Sequence, residues 1–139
     1  MINDLYLIVH VGDTRVYQIG DVLKQLTTDQ TYVAREISRG NMTPEQAKTD
    51  KRRNMLLQCI GASRMVEPEV IMGRVQNGVY MLCSDGLRHE VTEDELYQTL
   101  CPNVLSNKEM MRNNARALID LVKERKEKDN ISIVVIKAE

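Results

Sequence analysis

Three aspartates stand where apolar runs stop or start. Asp13 comes after "LYLIVHV" and a glycine, Asp85 after "VYMLC" and a serine, and Asp129 before an asparagine and "ISIVVI". Runs rich in β-branched and large apolar residues read as buried strands. Two of the acids then lie past strand C-termini and one precedes a strand N-terminus. If the strands run antiparallel, such ends meet at one rim of a sheet. Carboxylates gathered there repel: two unit charges ~5 Å apart at an effective dielectric of ~20 oppose one another by ~3 kcal/mol. A proton or a cation must offset that. The atoms on offer are oxygens, with no His or Cys cluster beside them, which favours Mg²⁺ or Mn²⁺ over zinc. Water held by such ions becomes a nucleophile at neutral pH. Each acid also has a plain use, because Asp and Gly suit tight bends at strand ends. Taken singly, each reads first as a turn residue, and spacing alone leaves both uses open.

The elements that must position these acids follow from periodicity. "LYLIVHV" (5–11) is a strand ending at Gly12-Asp13. "RVYQI" and "VLKQL" flank Gly20-Asp21, which predicts a hairpin with a two-residue type II′ loop. "TYVAREISRG" predicts a short helix stopped by Gly40, and Thr43, Pro44 and Gln46 supply cap, first helical residue and box partner for another. "EPEVIMGRV" and "GVYMLC" predict two more strands with a turn at Gln76-Asn77-Gly78. Thr92 with Glu95 forms a second capping box and Ser106 with Glu109 a third. The helix after Ser106 carries Met111, Ala115, Leu118, Ile119 and Val122 on one stripe, leaving Arg112, Arg116 and Lys123 as a solvated face. "ISIVVI" (131–136) predicts the last strand. The pattern is α+β: antiparallel strands with two adjacent C-terminal helices.

The totals set bounds. At 139 residues, 42% hydrophobic and 28% charged, the chain suits one domain with its own core. A net charge of −1 gives no pull toward nucleic acid or an anionic membrane. With no Trp, no Phe and five Tyr there is no platform for stacking bases. Cys59, Cys83 and Cys101 are odd in number and show no metal-knuckle spacing, so reduced thiols and a cytoplasmic location are expected. The N-terminal apolar run is too short to span a bilayer, and no basic segment precedes it as in a signal peptide.

The order of segments adds a resemblance. "VGDTRVYQI", "LTTDQTYV", "GNMTPEQA", "RRNMLLQCIG", "MLCSDGL" and "KDNISIVVI", in this order and at these separations, resemble the bacterial form of the metal-dependent protein serine/threonine phosphatases of type 2C. The match covers essentially the whole chain. No segment is specific alone; six in order are.

The resemblance implies an antiparallel β-sandwich flanked by helices, of which residues 1–139 are the C-terminal portion. It implies that Asp85 and Asp129 are ligands of a paired Mn²⁺/Mg²⁺ centre, and that Asp13 helps hold a third, weaker ion. Gly86 lets the backbone turn beside its ligand. Residues 31–54 match the flap beside the active site. The implied activity is hydrolysis of phosphoserine and phosphothreonine in phosphoproteins by metal-activated water. A serine/threonine kinase is the implied counterpart in signalling.

Two departures are small: Gln30 stands where the family often has His, and Gln58-Cys59 where Arg-Ala is common. One departure is large. The N-terminal half, with its phosphate-binding Arg, a further acid near its start, its metal-bridging Asp-Gly and its general-acid His, has no match. Neither His10, in an apolar strand, nor His89, just past "SDGLR", fits that acid's motif. His10 reads as a core or sheet-face residue and His89 as a surface group near the site. An incomplete metal site and open sheet edges are therefore expected. The edges invite self-association or completion by a separate N-terminal polypeptide. The chain alone is expected to be inactive. The alternative is a catalytically inactive phosphatase-like module that binds or regulates partners.

Overall fold

The structure, a computed structural model, describes Met1 and residues 3–139. Among the described residues the order is β1 (Leu5–His10), β2 (Arg15–Ile19), β3 (Leu23–Gln25), α1 (Tyr32–Ser38), α2 (Pro44–Thr49), β4 (Glu69–Arg74), β5 (Gly78–Cys83), α3 (Asp85–Arg88), α4 (Glu93–Leu100), α5 (Lys108–Glu124) and β6 (Ile133–Ala138). None of the described helices is long and apolar enough to cross a membrane.

The strands form two antiparallel sheets. β1 pairs with β4, and the other four lie in the order β3-β2-β5-β6. β5 is central, and its apolar run lets it bury side chains on both faces. Val79, Met81 and Cys83 point one way, where Tyr17 and Ile19 of β2 join them under Leu87, Leu96, Leu100, Leu118 and Val122. These helical residues are nearly or fully buried, and the apolar stripe of α5 supplies the last two. The opposite face of β5 turns toward the two-stranded sheet, where the Tyr80 ring lies 5.9 Å from Tyr6.

Three local expectations change. β2 and β3 do form a hairpin, but Ile19 pairs with Leu23, so three residues turn it, with Gly20 N–H donating to Val22 O at 3.1 Å. Gly20 lies outside the left-handed region a type II′ loop requires. The cap of α5 is Asn107, whose side chain accepts from Met110 N–H, and not Ser106. Asn caps as well as Ser does, and a start one residue later leaves the Ser106–Glu109 box unformed. The last strand begins at Ile133 rather than Ile131. Thr43 and Thr92 make the boxes the sequence predicts.

Helices cover only one side. The outer face of the two-stranded sheet carries Leu5, Leu7, Val9, Val70 and Met72, with Leu7 60% and Met72 72% exposed. Val134 and Ile136 of β6 are also exposed, on the β5 face turned away from the helices.

Burial orders the thiols. Cys83 faces the core, and desolvation pushes its pKa up to about 11, while Cys59 is exposed and Cys101 half-buried. The thiolate is the reactive form. Maleimide labelling of the native chain, read by peptide mass spectrometry, should modify Cys59 first and Cys83 only after denaturant is added. Native labelling of Cys83 at the rate of Cys59 would contradict the fold.

Candidate metal centre

β2 and β6 both run antiparallel to β5. Arg15 pairs with Cys83 and Cys83 with Ile133, so the start of β2, the end of β5 and the start of β6 share one rim. Asp13, Asp85 and Asp129 project from that rim.

Asp85 and Asp129 are brought together by backbone packing. Ser84 N–H donates to Ser132 O at 3.1 Å. Its hydroxyl donates to Asn130 O at 3.0 Å and accepts from Ser132 N–H at 3.0 Å. Gly86 then rests on the facing segment. A Cβ there would stand 2.5 Å from Asn130 O and 3.4 Å from the Asp129 Cβ. Only a residue without Cβ allows this approach. Each carboxylate spends one oxygen locally: Asp85 Oδ1 accepts from Gly86 N–H at 2.9 Å, and Asp129 Oδ1 from Asn130 N–H at 2.7 Å. The second oxygens accept no hydrogen bond from the described residues.

The donor type fits a hard divalent cation, being carboxylate oxygens on two segments in backbone contact, with no sulfur or imidazole between them. They make only part of a cage: among the described residues no group of three or more His, Cys, Asp or Glu side chains converges.

Asp13 is differently placed. Its Oδ2 accepts from Arg88 Nη2 at 2.8 Å, and the same nitrogen lies 3.9 Å from Asp29 Oδ2. Asp29 in turn takes both arms of Arg15, at 2.8 and 2.7 Å. The turn before Asp13 is fixed by Gly12 at φ +106°, whose N–H donates to Gln30 Oε1 at 2.8 Å. The same oxygen accepts from Gln58 Nε2 at 2.9 Å. The two departures Gln30 and Gln58 are thus direct partners, tying the far leg of segment 31–54 to the Asp13 turn.

His10 is buried between the sheets, its Nδ1 3.3 Å from Glu69 Oε2. His89 is the exposed group near the site that the sequence suggested, and it has a partner. Its Nδ1 lies 3.3 Å from Glu127 Oε2, and Glu127 Oε1 accepts from Lys128 N–H at 2.7 Å and Asp129 N–H at 2.9 Å. Glu127 therefore braces the loop that carries Asp129. Its place two residues before Asp129 is the only sequence signal for that role. A groove of about 1010 Å³ runs from Arg88, Glu127 and Asp129 to Ala34, Ile37 and Ala47 of α1 and α2, so segment 31–54 forms one wall beside the rim. That segment is held by Arg52, which pairs with Asp50, stacks 4.1 Å over the Tyr32 ring and donates to its hydroxyl.

Paired antiparallel sheets with helices over the larger one are the architecture this chain shares with solved serine/threonine phosphatases. The fold superposes on the serine/threonine phosphatase of S. agalactiae with a TM-score of 0.90 at 25% identity, covering 100% of this chain and 56% of that one. No protein-family profile matches the chain. Curated relatives do: serine/threonine protein phosphatase PstP of Mycobacterium tuberculosis is 33% identical across 92% of this chain, and serine/threonine phosphatase stp of Listeria innocua 30% identical across 98%. The catalytic domain of PstP, solved with two manganese ions, matches with a TM-score of 0.79 at 30% identity over 54% of that chain. By sequence and by fold the chain is homologous to the bacterial type 2C serine/threonine phosphatases, and it matches a part of each. It spans 24% of the PstP relative and 53% of the stp relative.

Two measurements test this rim. Gly86→Ala should lower stability by about 1–3 kcal/mol in urea unfolding, since the new methyl meets backbone that cannot step aside. Gly20→Ala, where a Cβ meets only Gln18 Nε2 at 3.9 Å, should change it by less than about 0.5 kcal/mol. Equal effects would place Gly86 elsewhere. The second concerns pH. The Asp129 N–H, then the Lys128 N–H and the His89 ring, hold the Glu127 carboxyl below its ordinary 4.5 against a smaller opposing effect of burial. A depressed folded pKa stabilises above the unfolded value and loses that contribution as pH falls through the folded one. The stability gap between wild type and Glu127→Gln should therefore be full at pH ~6 and close as pH drops below ~4. A gap that stays constant would contradict the bracing role.

Proposed function

We propose that this chain supplies part of a phosphatase that removes phosphate from serine and threonine of phosphoproteins, with Mn²⁺ or Mg²⁺ held by Asp85 and Asp129. The observation that supports this reading is the packing of Gly86 on Asn130, which brings the backbone segments bearing Asp85 and Asp129 into contact. The ions, when bound, supply activated water and stabilise charge on the phosphate. The chain's own residues do the positioning. Ser84 and Gly86 lock the two strand ends, Glu127 holds the Asp129 loop, and segment 31–54, read as the flap, walls the groove through which a phosphorylated segment enters. A serine/threonine kinase that installs the phosphate in the same cytoplasmic signalling circuit is the chemical counterpart.

Residues 1–139 correspond in this reading to the C-terminal portion of the domain. Two carboxylates set neither the spacing of two ions nor a bridging water, so the rest of the cage comes from polypeptide matching the portion of the relatives that this chain does not span. The exposed apolar side chains of β1, β4 and β6 are where that portion packs. Without it, open sheet edges favour self-association.

Hydrolysis of p-nitrophenyl phosphate in Mn²⁺ tests the proposal. The purified chain should run at background rate. Mixing with the complementary portion of the domain should restore Mn²⁺-dependent turnover, and Asp85→Asn should remove at least about 100-fold of it. Full turnover by the chain alone, or recovery indifferent to Asp85→Asn, would overturn it. A mixture that assembles yet stays inactive would favour a catalytically empty binding module instead.

A further inference from the structure

We infer that Arg88 is a built-in cation at the rim, which takes the Asp13 carboxylate out of the set available to divalent metal. The inference concerns the same rim as the phosphatase reading but does not need turnover.

Three observations carry it. First, Arg88 Nη2 stands between two carboxylates, 2.8 Å from Asp13 Oδ2 and 3.9 Å from Asp29 Oδ2. Second, the charges already cancel. Asp13 and Asp29 contribute two negatives, Arg15 and Arg88 two positives, and Arg15 grips Asp29 with both arms. Third, the group is largely dry, with the four side chains only 11–22% exposed. In such surroundings an ion pair is screened little by solvent.

A divalent ion arriving at Asp13 would have to displace the guanidinium. Arg88 Nε is buried with no partner among the described residues, so the displaced charge would have little else to hold. The arriving ion would also face Arg15 and Arg88 across a few ångströms, with no net negative charge to draw it in. The expectation of a third, weaker ion at Asp13 therefore does not suit this geometry. The arrangement is coupled to the metal rim itself. Arg88 ends the single turn that Asp85 begins, with His89 N–H donating to Asp85 O at 3.1 Å. The turn that offers Asp85 to a metal thus delivers the guanidinium that closes Asp13.

The test is Mn²⁺ binding to the purified chain, followed by the electron paramagnetic resonance of the free ion. Asp13→Asn should weaken Mn²⁺ binding no more than Asp29→Asn, which removes the same charge from the same four-residue group. Arg88→Met should gain Mn²⁺ binding, at least about threefold in apparent affinity, because a unit positive charge leaves the rim and Asp13 is released. The gain should vanish in Arg88→Met/Asp13→Asn. Arg88→Gln, which keeps a hydrogen-bond donor and loses the charge, should behave as Arg88→Met and serves where the latter fails to fold. Mn²⁺ binding weakened more by Asp13→Asn than by Asp29→Asn would overturn the inference, as would charge removal at Arg88 that brings no gain dependent on Asp13. Either result would leave the Asp85-dependent turnover of the assembled domain as a separate question.

Discussion

The rim depends on one close approach, that of Gly86 to the Asn130 carbonyl. Ser84 and Asn130 are 46 residues apart in the chain, yet one hydroxyl links their segments by donating to the Asn130 carbonyl and accepting from the Ser132 N–H. That reciprocal link fixes the end of β5 against the approach to β6 more tightly than the ladder alone. The missing Cβ at residue 86 lets the two backbones touch. Asp85 and Asp129 are each adjacent to a residue in this contact, so their separation is set by main chain rather than by flexible side chains. A site that must hold two like charges together gains from such rigidity, because the repulsion cannot relax by rotating the backbone away.

The neighbouring charges follow the same economy of elements. Arg15 lies in the G-D-T-R segment and Asp29 in the T-T-D segment, and their two-armed pair joins the start of β2 to the chain entering α1. Gln30 and Gln58 extend the connection. Gln58 pairs both ends of its amide with the Glu67 backbone, donating to the carbonyl at 2.7 Å and accepting from the N–H at 2.8 Å, while it also reaches Gln30. Both legs of segment 31–54 are thereby anchored to strands that end at the rim. The segment's own interior is thin, with Ala47 as the buried residue of its two helices. Firm roots and little core give this wall a lower local stability than the sheet it stands beside.

Much of this was legible in the sequence for a physical reason. A continuous apolar strand such as "VYMLC" that ends on Ser-Asp-Gly states both its burial and its turn, and three such strand ends can converge only if the strands are antiparallel. Capping boxes at Thr43 and Thr92 are local chemistry, complete within four residues, and they read correctly. The Asn107 cap was missed because Ser106 and Asn107 are equally able donors of an oxygen, and helix register decides between them. The Gly20 hairpin was missed because loop length depends on which residues of β2 and β3 pair. Arg88 and Glu127 were hidden for another reason. Each has a partner distant in the chain, Asp13 for one and His89 for the other, and a single sequence does not announce such pairs, although the local bonds from Glu127 to Lys128 and Asp129 lie within two residues. His89 illustrates the point: beside "SDGLR" it looks like a solvated neighbour, and only the packing of α3 against the Asp129 loop gives it a carboxylate.

The two sides of the sandwich are unequal in what they can do alone. On the helical side, Leu118 and Val122 reach Met81 and Cys83 through a sealed layer, and Leu96, Leu100 and Leu105 close it. That core needs nothing beyond the chain. On the other side, two strands cover a four-stranded sheet. Tyr6 against Tyr80 fastens the centre, but the outer face of β1 and β4 and the β6 residues Val134 and Ile136 lie open. A two-stranded sheet is marginal by itself, so the β1–β4 pair draws its order from Tyr80 beneath it and from whatever covers it above. The acidic rim spans this divide. Asp85 and Asp129 are seated on the self-sufficient sheet, whereas the turn bearing Asp13 is the direct continuation of β1. The firm half of the molecule thus holds the two acids whose backbone segments touch, and the half-covered sheet leads into the acid that Arg88 keeps paired.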